Sequence, residues 1–450
     1  VRFERVIAGG IFLAVTLAAL LTQRPAMLRG DAEEYYRMAA QYTRGETVVS
    51  VSAPFVYRVA TPWLAARADP FVSPALPLWL GSAIVGFTGV IGAPGFYAVN
   101  ILASFAALML LVSYLRLFVS SATTRLLLVT LWMIQWHTPV RYTYFAPVNV
   151  EPLFLVCMLL ALLVIERVPA LSAERAVLVA SVIVFAGTFV RESMLLMAVV
   201  FAIRYAQLWK FEHWRQRIFG AFPLLAGIVA LVVTTGFLAV SSTPSSPIAM
   251  LLETIRIKSI FGWILGWFFT FGPAATAVLV SVFPDLRAFL RQRPWLLAYL
   301  AGCAVLAYVG GTDTERILAW AFPVVLVLLG QALERHRGLW HRNPALVVFL
   351  VASVLVSSRI FWPIPWQAET HTSFEDLSLD WTSLWALLDK VFVIENYYAN
   401  LWSHFGSQPI HTAILVVDIF LTAIVVKLLR RSARARSTPF TQRSPVESTS

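Results

Sequence analysis

Charge and cysteine are both scarce in this chain. Only 13% of its 450 residues are charged, about half the share of an ordinary soluble domain. Hydrophobic residues reach 59% and mean hydropathy is +0.75. That balance excludes a soluble enzyme and a disordered scaffold. The two cysteines, Cys157 and Cys303, each lie inside an apolar segment, which excludes a disulfide framework and a thiolate metal centre. Also missing are a phosphate-binding P-loop, a Rossmann glycine pattern, a G-x-S-x-G elbow and a His/Cys cluster. Their absence argues against an ATP-driven pump and against a site for a nucleotide-linked substrate; no cofactor is expected, and a divalent metal is left open but not indicated. The net charge of +11 does not signal nucleic acid, because no basic domain carries it.

What the chain has in abundance is apolar runs. Twelve membrane spans are predicted, at 6–22, 95–116, 120–136, 152–166, 175–190, 194–208, 218–240, 260–283, 295–310, 317–332, 344–358 and 411–429. The first lacks a small-x-small cleavage site and reads as a retained helix rather than a signal peptide. With both termini cytoplasmic, 22 of the 35 Lys and Arg fall inside, while 16 of the 24 acids fall outside, as the positive-inside rule requires. Residues 71–93 are apolar enough to span but would invert this balance. With Pro74, Pro77 and several glycines they read as interfacial or re-entrant. The expected protein is all-α and polytopic. One transmembrane domain covers 1–430, with long outer loops at about 23–94 and 359–410, the latter rich in tryptophan. A basic, disordered tail occupies 431–450.

Chemistry-bearing residues gather at the outer ends of the expected spans. In RGDAEEYYRMAAQY, Asp31, Glu34, Tyr35 and Met38 share one face of a short helix. Asp31 reads either as an N-cap, with Asp31-x-x-Glu34 resembling a capping box, or as a carboxylate placed to take a proton from a hydroxyl. Arg58, in PFVYRVATPWLA, either snorkels to headgroups or holds a lipid phosphate. Three further clusters follow: Arg141, Tyr142, Tyr144 and Glu151; Arg191 with Glu192; and Asp313, Glu315 and Arg316 in GGTDTER. Singly, each reads as a structural salt bridge. Together Asp31, Arg58, Arg141, Glu151, Arg191, Asp313 and Arg316 fall on one side of the membrane, which an outward-facing site requires. Asp418 and His411, on one face of the last span, read as a proton relay or as part of an internal hydrogen-bonding network, the structural role being favoured.

The order of these elements resembles the GT-C superfamily of multi-spanning glycosyltransferases. The likeness rests on Gly30, Asp31 and Tyr35; on Tyr57-Arg58-Val59 with Pro62 and Trp63; on Glu151-Pro152; on Arg191-Glu192; and on Asp313 and Arg316 ahead of a span containing Pro323. The resemblance implies inverting transfer of a hexose or pentose from a polyprenyl-phosphate donor. The acceptor would be a glycan, lipid or protein at the outer face of a bacterial inner membrane. It implies Asp31 as general base and Arg58, Arg191 and Arg316 as phosphate ligands. Glu34, Tyr35, Arg141, Glu151, Glu192 and Asp313 complete the expected substrate-binding set. The spacing Asp31-Ala32-Glu33-Glu34 departs from members with two adjacent acids. Competing readings are a polymerase or ligase of lipid-linked polysaccharide, and a transporter or flippase for lipid-linked sugars. A transporter should show matched broken helices around a midplane site.

Overall fold

The computed structural model describes residues 2–22, 31–73, 93–135, 137–138, 146–209, 214–242, 247–311, 313–335, 344–357, 403–404 and 408–434. Arg141, most of the 71–93 segment, nearly all of the tryptophan-rich loop and the tail beyond residue 434 lie outside the described residues.

The apolar runs form helices because a chain in hydrocarbon must satisfy its own backbone hydrogen bonds. The order begins with α1 (Arg2–Thr22), α2 (Asp31–Thr43), β1 (Val49–Val51), α3 (Ala60–Val72), α4 (Ala93–Leu115) and α5 (Ala122–Ile134). It continues with α6 (Glu151–Arg167), α7 (Ala173–Val190), α8 (Leu195–Trp209), α9 (Trp214–Val233), β2 (Ala239–Ser241) and α10 (Pro247–Ile257). Then come α11 (Ile260–Ser281), α12 (Phe283–Arg291), α13 (Pro294–Val309), α14 (Thr314–Leu318), α15 (Phe322–Arg335), α16 (Pro344–Ser357) and α17 (Gln408–Arg434). Eight helical runs among the described residues are long and apolar enough to cross a membrane: Pro94–Leu115, Glu151–Ala170, Ala173–Val190, Glu192–Trp209, Ile218–Leu238, Ile260–Ser281, Thr314–Arg335 and His411–Arg430. The protein is therefore a multi-pass, essentially all-α membrane protein. Helices α5 and α13 are apolar but only 13 and 16 residues long, short of the roughly 20 that a straight crossing takes.

Polar side chains fall into two tiers at opposite ends of the helices. On α6, Glu151 and Glu166 are separated by roughly 22 Å at 1.5 Å per residue. Glu166 accepts from Trp295 Nε1 at 2.7 Å, beside Arg204, whose guanidinium stacks 3.8 Å from the Trp295 ring centroid. In the same tier Glu4 bridges Arg116 and Arg125, and Asp285 pairs with Arg335. Glu151 belongs to the other tier, described below. Between the tiers, Leu102, Val182, Val232 and Phe420 point outward, as a lipid-facing belt requires.

The segment between α1 and α4 is more structured than an outer loop read from hydropathy. Helices α2 and α3 pack together, and α3 lies along α4. A Cβ on Gly95 would sit 2.2 Å from the Ala65 carbonyl oxygen, and Gly95 N–H donates to Asp69 Oδ1 at 3.1 Å. The two helices therefore touch backbone to backbone. β1 pairs in parallel with β2, in register Val49↔Ala239 and Val51↔Ser241, a contact that three-residue strands cannot announce by periodicity. It ties the Asp31 segment to the end of α9. Gly272, at φ 79° just ahead of Pro273, allows the kink in α11.

Gly95→Ala is expected to push α3 off α4 and to lower the thermal midpoint in detergent, at a cost of about 1–3 kcal/mol. Gly10→Ala, where a Cβ meets nothing within 4 Å, should leave it unchanged. Equal midpoints for both variants would show that the α3–α4 contact yields without strain.

Candidate functional site

Residues from five separate stretches of chain meet in one ion-pair network. Arg316, on α14, donates through Nη2 to Asp31 Oδ2 and lies equally close to Asp313 Oδ2, each at 2.7 Å. Its Nε lies 3.5 Å from Glu151 Oε1. Glu151 also takes the guanidinium of Arg191. Arg58 grips Glu192 with two bonds, Nε to Oε2 at 2.9 Å and Nη2 to Oε1 at 2.7 Å, and donates through Nη1 to Tyr35 Oη at 2.8 Å. Such forked pairs are the strongest kind available to a buried arginine.

Local structure holds each member in place. Arg191 sits at an extended break between α7 and the 3₁₀ turn Glu192–Met194. Its guanidinium lies 4.7 Å from the Trp320 ring centroid and 5.9 Å from that of Phe154, a stacking that offsets part of its desolvation. Glu151 opens α6 ahead of Pro152, and Asn149 Oδ1 accepts from its N–H at 3.2 Å. Asn100, on α4, braces that approach by donating to the carbonyls of Pro147 and Asn149. Tyr35 is fully buried and packs edge-on to Phe55.

Exposure separates the roles. The Arg316, Arg191, Arg58 and Glu151 side chains are at most 10% exposed, whereas Asp31 is 35% exposed. The network's most accessible carboxylate is thus the one expected to act as base. Burial works against charge on Asp31, but Arg316, Arg58 and Arg191 outweigh it and hold the carboxyl below its ordinary range. Asp313 moves the other way: burial raises it, against the pull of Arg316 and with the push of Asp31 and Glu151. Two acids on one arginine are therefore driven apart, the arrangement that separates a proton acceptor from a proton holder. Burial pushes the Tyr35 hydroxyl up to about 12, so it stays protonated.

Of the residues expected from the sequence, Asp31, Tyr35, Arg58, Glu151, Arg191, Glu192, Asp313 and Arg316 come together. Glu34 does not join them. Its Oε2 accepts from Ser52 N–H at 3.2 Å and its Oε1 from Arg37 at 3.4 Å, so it anchors the β1 approach. Arg141 lies outside the described residues. Sequence reasoning passed over Asn100, Asn149 and Trp320, which brace the network. An asparagine inside an apolar helix, as at Asn100, was the available signal. Among the described residues no group of three or more His, Cys, Asp or Glu could hold a metal. Comparison with family models, curated proteins and solved structures finds no match.

A carboxyl depressed on folding adds stability above its unfolded-state value and loses it as pH falls through the depressed one; a raised carboxyl does the reverse. Asp31→Asn is therefore expected to lower the thermal midpoint at pH 7, and Asp313→Asn to leave it unchanged or raise it. The opposite order would assign Arg316 chiefly to Asp313. Glu151→Gln, which strands buried Arg191, should cost about 3–5 kcal/mol.

Proposed function

We propose that this protein is a GT-C-type glycosyltransferase, one that moves a sugar from a polyprenyl-phosphate donor to an acceptor hydroxyl at the periplasmic face of a bacterial inner membrane. The observation that carries this reading is the Asp31–Arg316 contact. It joins the first-loop acid to a helix nearly 300 positions later, beside a second acid of opposite proton preference. Asp31 is ionised and solvent-accessible, as a base that activates an acceptor hydroxyl must be. Arg316 would keep Asp31 ionised and oriented toward the acceptor. Arg58 is committed to Glu192 and Tyr35, and Arg191 to Glu151 and Trp320, so these two hold the frame of the site.

The reading includes twelve crossings, the four beyond the long apolar runs being α1, α5, α13 and α16, with both termini cytoplasmic. The two polar tiers favour it, because the network gathers at one end of the helices. A transporter would concentrate its polar groups near the midplane.

Asp31→Asn should cut turnover with a polyprenyl-phosphate-linked sugar by about 10²-fold or more, measured below the melting temperature of both proteins. Near-normal turnover would leave Asp31 as a structural partner of Arg316. Sidedness is read from single cysteines at Thr47 and Gln292, in a background lacking Cys157 and Cys303. An impermeant thiol reagent on spheroplasts should label position 47 and spare 292; the reverse pattern would put the network on the cytoplasmic side and remove the periplasmic reaction.

A further inference from the structure

Among the described residues the network has no positive charge to spare. Arg58, Arg191 and Arg316 face four carboxylates, Asp31, Glu151, Glu192 and Asp313. A phosphate arriving there would meet as much repulsion as attraction. Next to it, across Thr314, lies a recess of about 250 Å³ with the opposite character.

Lys258 lies in its wall, 8% exposed. Its Nζ donates to the Ala307 carbonyl at 2.5 Å, and among the described residues no carboxylate approaches within ion-pair distance. Burial lowers its pKa to about 8, while Glu315 and Asp313 pull it back up, so the ammonium form predominates at neutral pH. His404 and His411 add imidazoles to the same wall. Two long helices also start there. α11, of 22 residues, is capped by Ser259 Oγ, which accepts from Gly262 N–H at 2.9 Å, and α17, of 27 residues, opens at Gln408. Each helix N-terminus carries partial positive charge and unbonded N–H groups. Of the two nearest acids, Asp313 pairs with Arg316, and Glu315 Oε1 accepts from Ser403 N–H at 2.6 Å.

We propose that this recess binds a phosphate-type oxyanion. In the glycosyltransferase reading, on which this second step rests, it holds the donor's lipid phosphate while Asp31 and Arg316 face the acceptor. A lysine without a carboxylate partner among the described residues, two imidazoles and two helix N-termini form an anion site of ordinary construction. The recess has room for a phosphate and the groups joined to it, which suits a headgroup whose chain remains in lipid.

The test is direct binding of inorganic phosphate and of farnesyl phosphate to the full-length protein in uncharged detergent, followed by ³¹P line broadening. Wild type should bind farnesyl phosphate more tightly than inorganic phosphate. Lys258→Gln should weaken both by about 10-fold or more. Gln408→Glu, a change at an exposed position that places a carboxylate at the rim, should do the same and covers the case in which Lys258→Gln fails to fold. Unchanged binding in both recess variants would overturn the proposal. Equal affinity for the two probes would keep the oxyanion site and strike out the lipid donor. Intact binding with no sugar transfer by wild type would sink the glycosyltransferase reading and leave the recess standing.

Discussion

A guanidinium at the end of a membrane-embedded helix carries a large desolvation cost, which only carboxylates at hydrogen-bond distance offset. Arg316 obtains them from three places: Asp31 at the start of α2, Asp313 one turn back, and Glu151 at the head of α6. Because these acids come from distant parts of the chain, the pairing fixes more than a local turn. It brings the segment after α1 against α14, and through Glu151 it reaches Arg191 at the α7 break. Arg58 then closes the far side by gripping Glu192. Remove the central guanidinium, and three carboxylates are left to repel one another beneath the protein surface.

That arrangement also limits what the network can do. Matched charges make a site suited to holding and moving a proton, with one acid kept ionised and a neighbour pushed toward its neutral form. The same matching makes it a poor anion receptor. A buried lysine beside it, with no carboxylate partner among the described residues, has the complementary character, and Thr314 lies between the two. In the proposed reading, general-base chemistry and anion binding are divided in this way, so that the phosphate would not compete with Asp31 for its own arginine.

The two polar tiers follow from the solvent. Ionisable groups gather where the helices leave the hydrocarbon, and the bundle between is closed by large apolar side chains. Trp132, Tyr114, Phe154 and Phe201 are fully buried there. The opposite tier, Glu4 with Arg116 and Arg125, ties α1 to α4 and α5 by the same physics, but without the accessible carboxylate that singles out Asp31.

Hydropathy alone was enough to place the long apolar helices, because in lipid an apolar run has no alternative that satisfies its backbone. It also marked Asp31, Arg58, Glu151, Arg191, Asp313 and Arg316, since a charge beside an apolar run is costly and stands out. Pairing was not legible. Nothing in the spacing joins Asp31 to Arg316, or Arg58 to Glu192, because such partners are chosen by how helices pack, not by their separation along the chain. Glu34 shows the limit from the other side: helical periodicity gave it the face of Asp31, yet its carboxylate turned to the Ser52 amide, a nearer donor. The β1–β2 pair and the Lys258 recess were likewise decided by tertiary structure. Each is assembled from short polar stretches between helices, where no period exists to be read and only the packed bundle brings the pieces together.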